Sequence, residues 1–334
     1  MILILCLSNL HVPISLSLIN KHRNEEILLY TDQQNIYNSF KQLDIENVQI
    51  CLRRDVDRTG SKFDIIKRYL TLYRKQKKSM LNDVNGCRFT TAYFFHNCFG
   101  SPELWLLQQV KADKIYFSPT IKMKGEPCNS IKARMSTIFD KIFWNVERDA
   151  IRYGNIRYKV GKKFLSRNNI EIISHDISIP EEYTRKLVEN LDIKQKTILL
   201  IEDIFSTKNI EQGKYFETIK DVIEALGKEN VILKHHPRAT WKLKDYIKTE
   251  FYEMPAYIPV NIVIDKFDTV IGNYSSTIFE VIEKDKRGIS LLYLFKEHYI
   301  SQEMFNAHIN YLRDNDKNGG LLFPTSISEL TTYK

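Results

Sequence analysis

The chain lacks any apolar run that could cross a bilayer. Its longest, Met1–Leu7 and Ile289–Phe295, fall far short of the about 20 residues a spanning helix needs. Met1–Leu7 has no basic segment before its apolar stretch and no small-residue cleavage site after it, so it reads as a buried first strand and not as a leader. The expected location is the cytoplasm, at most peripheral at the inner face of the cell membrane. Cysteine is scarce too. The five thiols, Cys6, Cys51, Cys87, Cys98 and Cys128, are widely scattered with no Cys-x-x-Cys pair, which argues against both a disulfide framework and a zinc site. No metal and no bound cofactor is expected.

Glycine-based phosphate motifs are missing as well. There is no Gly-x-x-x-x-Gly-Lys-Ser/Thr for a P-loop and no Gly-x-Gly-x-x-Gly after the first strand, which sets aside P-loop ATP hydrolysis and dinucleotide redox chemistry. A Gly-x-Ser-x-Gly elbow is absent, and so is any nucleic-acid reader motif. The net charge of +8 favours an anionic partner, but the basic residues are spread out, with mild clusters at Lys67–Lys78 and Arg148–Arg167. Charge alone therefore selects none.

What is present is a 43% hydrophobic chain of 334 residues, enough for two packed domains and too apolar for disorder. Short β-branched runs alternate with longer stretches of helical period. Strands are predicted at Ile2–Leu7, Ile27–Thr31, Val48–Cys51, Ala92–Phe95, Lys114–Phe117 and Glu171–Ser174, then at Thr197–Ile201, Val231–Lys234, Asn261–Ile264, Thr269–Gly272 and Ile289–Leu294. Helices are predicted at Pro13–Asn20, Gln33–Leu43, Lys62–Arg74, Pro102–Val110 and Ser130–Val146, then at Tyr215–Leu226, Trp241–Thr249, Thr277–Ile282 and Gln302–Tyr311. The fold class is α/β, with two Rossmann-like, doubly wound domains facing across a cleft: residues 1–178, and residues 190–334 beyond a boundary segment at Ser178–Lys196. In such folds ligands bind beyond the carboxyl ends of the strands.

Two segments at strand ends carry chemistry. In Val231-Ile-Leu-Lys234-His235-His236-Pro237-Arg238 a buried strand runs into a basic turn. Lys234 and Arg238 suit a phosphate charge, and His236 suits a hydrogen bond or proton to a leaving phosphate oxygen. Pro237 keeps His236 out of helical geometry. In Gly272-Asn-Tyr-Ser275-Ser276-Thr277-Ile-Phe-Glu280 a strand turns into a helix whose free N–H groups and hydroxyls form an anion site. The serine pair reads equally as an ordinary N-cap. Glu280 could close the helix start or reach a ribose hydroxyl.

Lys-x-His-Pro after one strand, followed about 40 residues later by Ser-Ser opening a helix, resembles the bacterial sialyltransferases, lipooligosaccharide sialyltransferases and capsular polysialyltransferases among them. The resemblance implies a metal-independent GT-B glycosyltransferase that takes a nonulosonic acid from a CMP-activated donor to a glycan acceptor. It implies contact of His236 with the CMP phosphate and of Ser275, Ser276 and Thr277 with the donor. Cys6-Leu-Ser8-Asn9-Leu-His11-Val-Pro13 is similar to the family's first strand and loop, which brings in Asn9 on the donor side. The family's acidic Asp/Glu-Asp/Glu-Gly motif, holder of the catalytic base, has its best match in Glu202-Asp203, with Ile204 in place of Gly. His96, after a strand of the first domain, is the fallback base.

A CDP-glycerol-type glycerophosphotransferase shares the His-Pro and Ser-Ser features and would use His96 or His11 as a second acid/base. A non-catalytic basic binding protein is the reading from another class. The aromatic and basic stretch Phe143–Phe164 reads either as a rim against anionic lipid or as a solvated surface over buried rings.

Overall fold

The computed structural model describes residues 1–53, 62–95, 101–118, 126–127, 135, 137–146, 151–153, 157–158, 165–166, 168–174, 177–189, 191–237, 239, 241–275, 277–316 and 318–333. For residues 62–72, 101, 126–127, 151–153 and 157–158 it describes the backbone alone. The chain divides into two compact units, Met1–Lys186 and Leu187–Lys334.

The first unit runs β1 (Ile2–Leu5), α1 (Val12–Lys21), β2 (Ile27–Thr31), α2 (Gln34–Leu43), β3 (Val48–Leu52), α3 (Lys62–Asp83), β4 (Thr91–Phe94), α4 (Ser101–Val110) and β5 (Lys114–Phe117). Three short antiparallel strands follow, β6 (Glu126–Pro127), β7 (Ile151–Tyr153) and β8 (Arg157–Tyr158), and then β9 (Ile170–Ile172). Every residue of β1 and β2 is buried. Such unbroken apolar strands belong in a parallel sheet covered on both faces. The sheet order is β3-β2-β1-β4-β5-β9, with all neighbours parallel. On α2 the buried residues Ile36, Phe40 and Leu43 recur at helical spacing and turn one stripe to the sheet.

Helix α5 (Glu181–Val188) straddles the division between the units. The second unit then runs β10 (Thr197–Ile201), α6 (Ile204–Thr207), α7 (Gln212–Leu226), β11 (Val231–His235), β12 (Tyr252–Glu253), α8 (Val260–Val263), β13 (Thr269–Gly272), α9 (Thr277–Ile282), β14 (Arg287–Ser290), α10 (Gln302–Asn315), β15 (Leu321–Leu322) and α11 (Ile327–Thr332). Its sheet is β12-β11-β10-β13-β14-β15, again all parallel. Counted within each unit, both sheets follow the order 3-2-1-4-5-6, the Rossmann order. Each unit is thus a Rossmann-like α/β domain.

The second core gathers Leu199, Ile201, Tyr215, Ile219, Val222, Leu226, Leu233, Ile271 and Ile289. Most of α7's contribution comes from one stripe, and truncating Ile219 to Ala there costs about 2–5 kcal/mol. Gly288 is required by close approach: a Cβ on it would lie 2.7 Å from Ile278 Cγ2 and 2.8 Å from Ile282 Cδ1. Helix α9 therefore rests directly on β14.

Four expected elements differ. Asn261–Ile264, expected as a strand, is the end of α8 and the start of a 3-10 turn. Only four residues separate it from β13, and two parallel neighbours need a crossover of a dozen or more. Trp241–Thr249 holds only a 3-10 turn at Leu243–Asp245, because Trp241, Leu243 and Ile247 are drawn into the core from an irregular segment. The expected strand Ile289–Leu294 stops at Ser290, whose hydroxyl accepts the Leu292 amide, and a 3-10 helix follows at Leu292–His298. Of the expected helix Ser130–Val146, the part from Asp140 to Trp144 forms a π-helical turn.

Candidate active site

The order of the second sheet reverses between β10 and β13, so the crevice for a ligand opens where those strands end. In register, Ile201 of β10 faces His235 of β11 and Leu199 faces Ile271 of β13. The His236 amide donates to the Ile201 carbonyl at 2.8 Å, which pins the His-Pro turn against the residues that follow β10. Glu202, His236 and Asn273 thus leave three adjacent strands at one edge.

Glu202 is 8% exposed and its amide donates to the Tyr215 hydroxyl at 2.9 Å. Burial pushes its carboxyl up to about 7; the Tyr274 amide pulls down, the Asp203 charge pushes up, and the Asn273 amide pulls down. A carboxyl in this range can hold or release a proton near neutral pH, as a general base must.

Asp203 is committed to structure. Its Oδ1 accepts the indole N–H of Trp241 at 3.2 Å, and its carbonyl accepts the amides of Ser206 and Thr207 at 3.1 and 3.0 Å, closing the first turn of α6. The two neighbouring carboxylates therefore have different surroundings and different capacities.

The basic loop divides in the same way. Lys234 is 3% exposed, its Nζ donates to the Pro255 carbonyl at 2.5 Å, and burial pulls the ammonium down to about 7. It braces the segment after β12. His235 is likewise inside: its Nε2 accepts the Leu243 amide at 3.3 Å and lies 3.9 Å from Glu253, and burial favours the neutral ring. His235 is thus a buried residue of the strand end. Consecutive residues of β11 face opposite sides of the sheet, and both side chains are buried because both faces of that strand are covered. His236 and Pro237, half-buried, remain at the strand end as the loop's exposed part. Arg238 lies outside the described residues.

After β13, the Ser275 hydroxyl accepts the Thr277 amide at 3.3 Å and its carbonyl accepts the Ile278 amide at 3.2 Å, the pattern of a helix start. Ser276 lies outside the described residues. Glu280, one turn into α9, is pushed up to about 7 by burial, with Lys284 pulling down and Glu283 pushing up. In the first unit, Asn9 opens a 3-10 turn after β1, and in that turn His11 Nδ1 accepts the Leu7 amide at 3.1 Å. His96 lies outside the described residues. Among the described residues no group of three or more His, Cys, Asp or Glu could hold a metal ion, and no helix is long and apolar enough to cross a membrane.

Four side chains around Glu202 carry no motif. Tyr215 and Tyr274 touch it, Trp241 holds its neighbour, and His308 of α10 stacks on Tyr274. Only their places just beyond strands or on core stripes could have flagged the first three. His308 is brought in by tertiary packing alone.

Residues 159–282 match the model of the alpha-2,8-polysialyltransferase family, a stretch that contains Glu202, the His-Pro turn and the start of α9. No curated protein sequence matches the chain. Among solved structures, the glycosyltransferase of kitacinnamycin is similar at 9% identity and a TM-score of 0.49, covering 99% of this chain and 88% of that one. The spinosyn rhamnosyltransferase complexed with spinosyn aglycone is similar at 9% identity and 0.46, covering 99% and 89%. MurG of Acinetobacter baumannii follows at 10% identity and 0.36, also covering 99% and 89%. The family-model match begins in the first unit and lies mostly in the second, and the chain is a glycosyltransferase.

Proposed function

We propose that this glycosyltransferase moves a nonulosonic acid, sialic acid or a relative, from a CMP-activated donor to a glycan acceptor in surface polysaccharide or lipooligosaccharide synthesis, with inversion, without a metal, and with Glu202 as its base. The observation that carries the base assignment is a buried carboxyl at the reversal point of the sheet, poised near neutral pH beside the His236 turn. The family match supports the donor class.

In the transfer, Glu202 takes the proton of an acceptor hydroxyl as its oxygen attacks the anomeric carbon. The bond from that carbon to the CMP phosphate oxygen breaks, and its electron pair leaves with the phosphate. His236 gives that oxygen a hydrogen bond or a proton. Ser275, Thr277 and the α9 backbone, with Ser276 and Arg238, hold the donor, and Glu280 reaches toward it. The charge that the departing CMP develops is met by fixed donors of the chain, so no metal ion is required. The acceptor side favours a location at the inner face of an anionic membrane.

A donor screen tests this reading. The purified chain is incubated with CMP-sialic acid, CMP-legionaminic, CMP-pseudaminic and CMP-Kdo donors and with CDP-glycerol, each with and without a sialylated glycan acceptor. Acceptor-dependent CMP release from one of the CMP-sugars is expected. CMP release from CDP-glycerol alone overturns the donor assignment.

A further inference from the structure

The aromatic contacts behind Glu202 form a continuous path from α10 to its carboxylate. The Tyr274 ring lies on the His308 ring with centroids 4.1 Å apart and planes 14° from parallel. His308 Nδ1 shares a hydrogen bond of 3.0 Å with the Tyr299 hydroxyl. Tyr299 is itself fixed: it bridges Ile210, and the amides of Glu211 and Ile300 donate to the His298 and Asn209 carbonyls at 3.0 Å each. At the far end of the Tyr274 ring the Asn209 amide reaches its hydroxyl at 3.4 Å, and the Thr207 side chain bonds it as well. The Tyr274 side chain is thus held on one face and at its tip, while its backbone N–H holds Glu202.

We propose that His308 is a positioning residue for Glu202: by clamping the Tyr274 ring against the segment after α6, it sets the backbone whose N–H groups hold the carboxylate. The inference rests on Glu202 being the base. A purely structural His308 would affect all steps alike, whereas a positioning residue must change the proton affinity of the group it places. Loss of a backbone N–H to a carboxylate disfavours the ionised form. The groups facing Glu202 are Asp203 on its own segment, Tyr215 on α7, Tyr274 after β13 and Tyr299 before α10. Burial pushes all three tyrosines up, so they stay neutral through the working range. The groups facing His308 are Tyr274 and Tyr299, and burial favours its neutral ring.

The test is the pH profile of kcat/KM for donor in four variants. In His308→Ala the acid limb should move to higher pH, giving a loss of about tenfold per unit of displacement below pH 7 that fades above pH 8.5, with donor binding unchanged. His308→Phe keeps a flat ring on Tyr274 and should bring the limb back. Tyr299→Phe, which removes only a hydroxyl, provides a milder displacement should the alanine variant not fold. An acid limb in His308→Ala or Tyr299→Phe that coincides with the parent's overturns the proposal. An equal loss at every pH in both His308 variants overturns it too. Glu202→Gln separates the two levels: if it transfers at the parent rate, the base assignment itself is wrong, whatever His308 does.

Discussion

The indole N–H of Trp241 reaches Asp203 Oδ1 at 3.2 Å, tying the segment just past Pro237 to the carboxylate two residues after β10. Both residues are buried. The contact explains why two adjacent acids differ: Asp203 is held by a fixed donor and a helix turn, whereas Glu202, which we propose as the base, is held by the Tyr274 and Asn273 amides.

Removing one partner of that pair leaves the other buried and unpaired. Asp203→Ala should lower unfolding stability by about 1–3 kcal/mol, read from urea denaturation. Trp241→Phe, which leaves the carboxylate without its donor, should lose stability as well. Under conditions where both variants are folded, their turnover should fall far less than that of a Glu202 variant.

Glu202→Gln should reduce transfer by about 10²–10⁴-fold, the usual contribution of a general base. Donor affinity, measured calorimetrically with CMP, should stay within about twofold of the parent, since a glutamine keeps the size and polarity of the side chain. In the parent, kcat/KM should rise with pH through about 7 as the Glu202 carboxyl ionises.

Stability should move the opposite way with pH. The folded carboxyl of Glu202 titrates at about 7 against an ordinary 4.5, so between those values the folded state binds more protons than the unfolded chain. Parent stability is therefore lost as pH rises through that window, by up to about 3 kcal/mol from this group. Glu202→Gln removes the penalty. Thermal melts should show the variant more stable than the parent at pH 8 and level with it near pH 4.

His236→Ala should remove most of the transfer activity while leaving the fold intact. Its amide bond to Ile201 is retained in the variant, and the half-buried side chain is no part of the core cluster. Circular dichroism and CMP release, measured on the same sample, check both halves.

Gly288→Ala should destabilise the second unit by about 1–3 kcal/mol, the range for overpacking a close contact. The added Cβ meets Ile278 and Ile282 below 3 Å, and α9 must move off β14 to admit it. Because α9 follows the serine pair, donor affinity should weaken in parallel with stability in denaturant titrations and binding isotherms.

Local patterning alone accounts for most of the framework. The bounds of β2, β5, β10, β13 and α9 are those expected from β-branched runs and helical spacing, since each is settled by residues within its own span. Where patterning failed, the deciding contact was remote. Asn261–Ile264 has the composition of a strand, and only the parallel placement of β13 forbids it from being one. The pull on Trp241 comes from Asp203, 38 residues away.

The site divides along the same line. The sequence by itself determined that acidic, basic and hydroxyl residues stand just beyond β10, β11 and β13, because strand ends and turn residues are local features. Only the tertiary structure decided which of them are available for chemistry. Lys234 turns to Pro255 and His235 to Leu243, Asp203 is claimed by Trp241, and Glu202 is lifted toward neutrality by burial. Burial and the nearest partner depend on chain segments that meet only on folding, so no spacing along the chain encodes them.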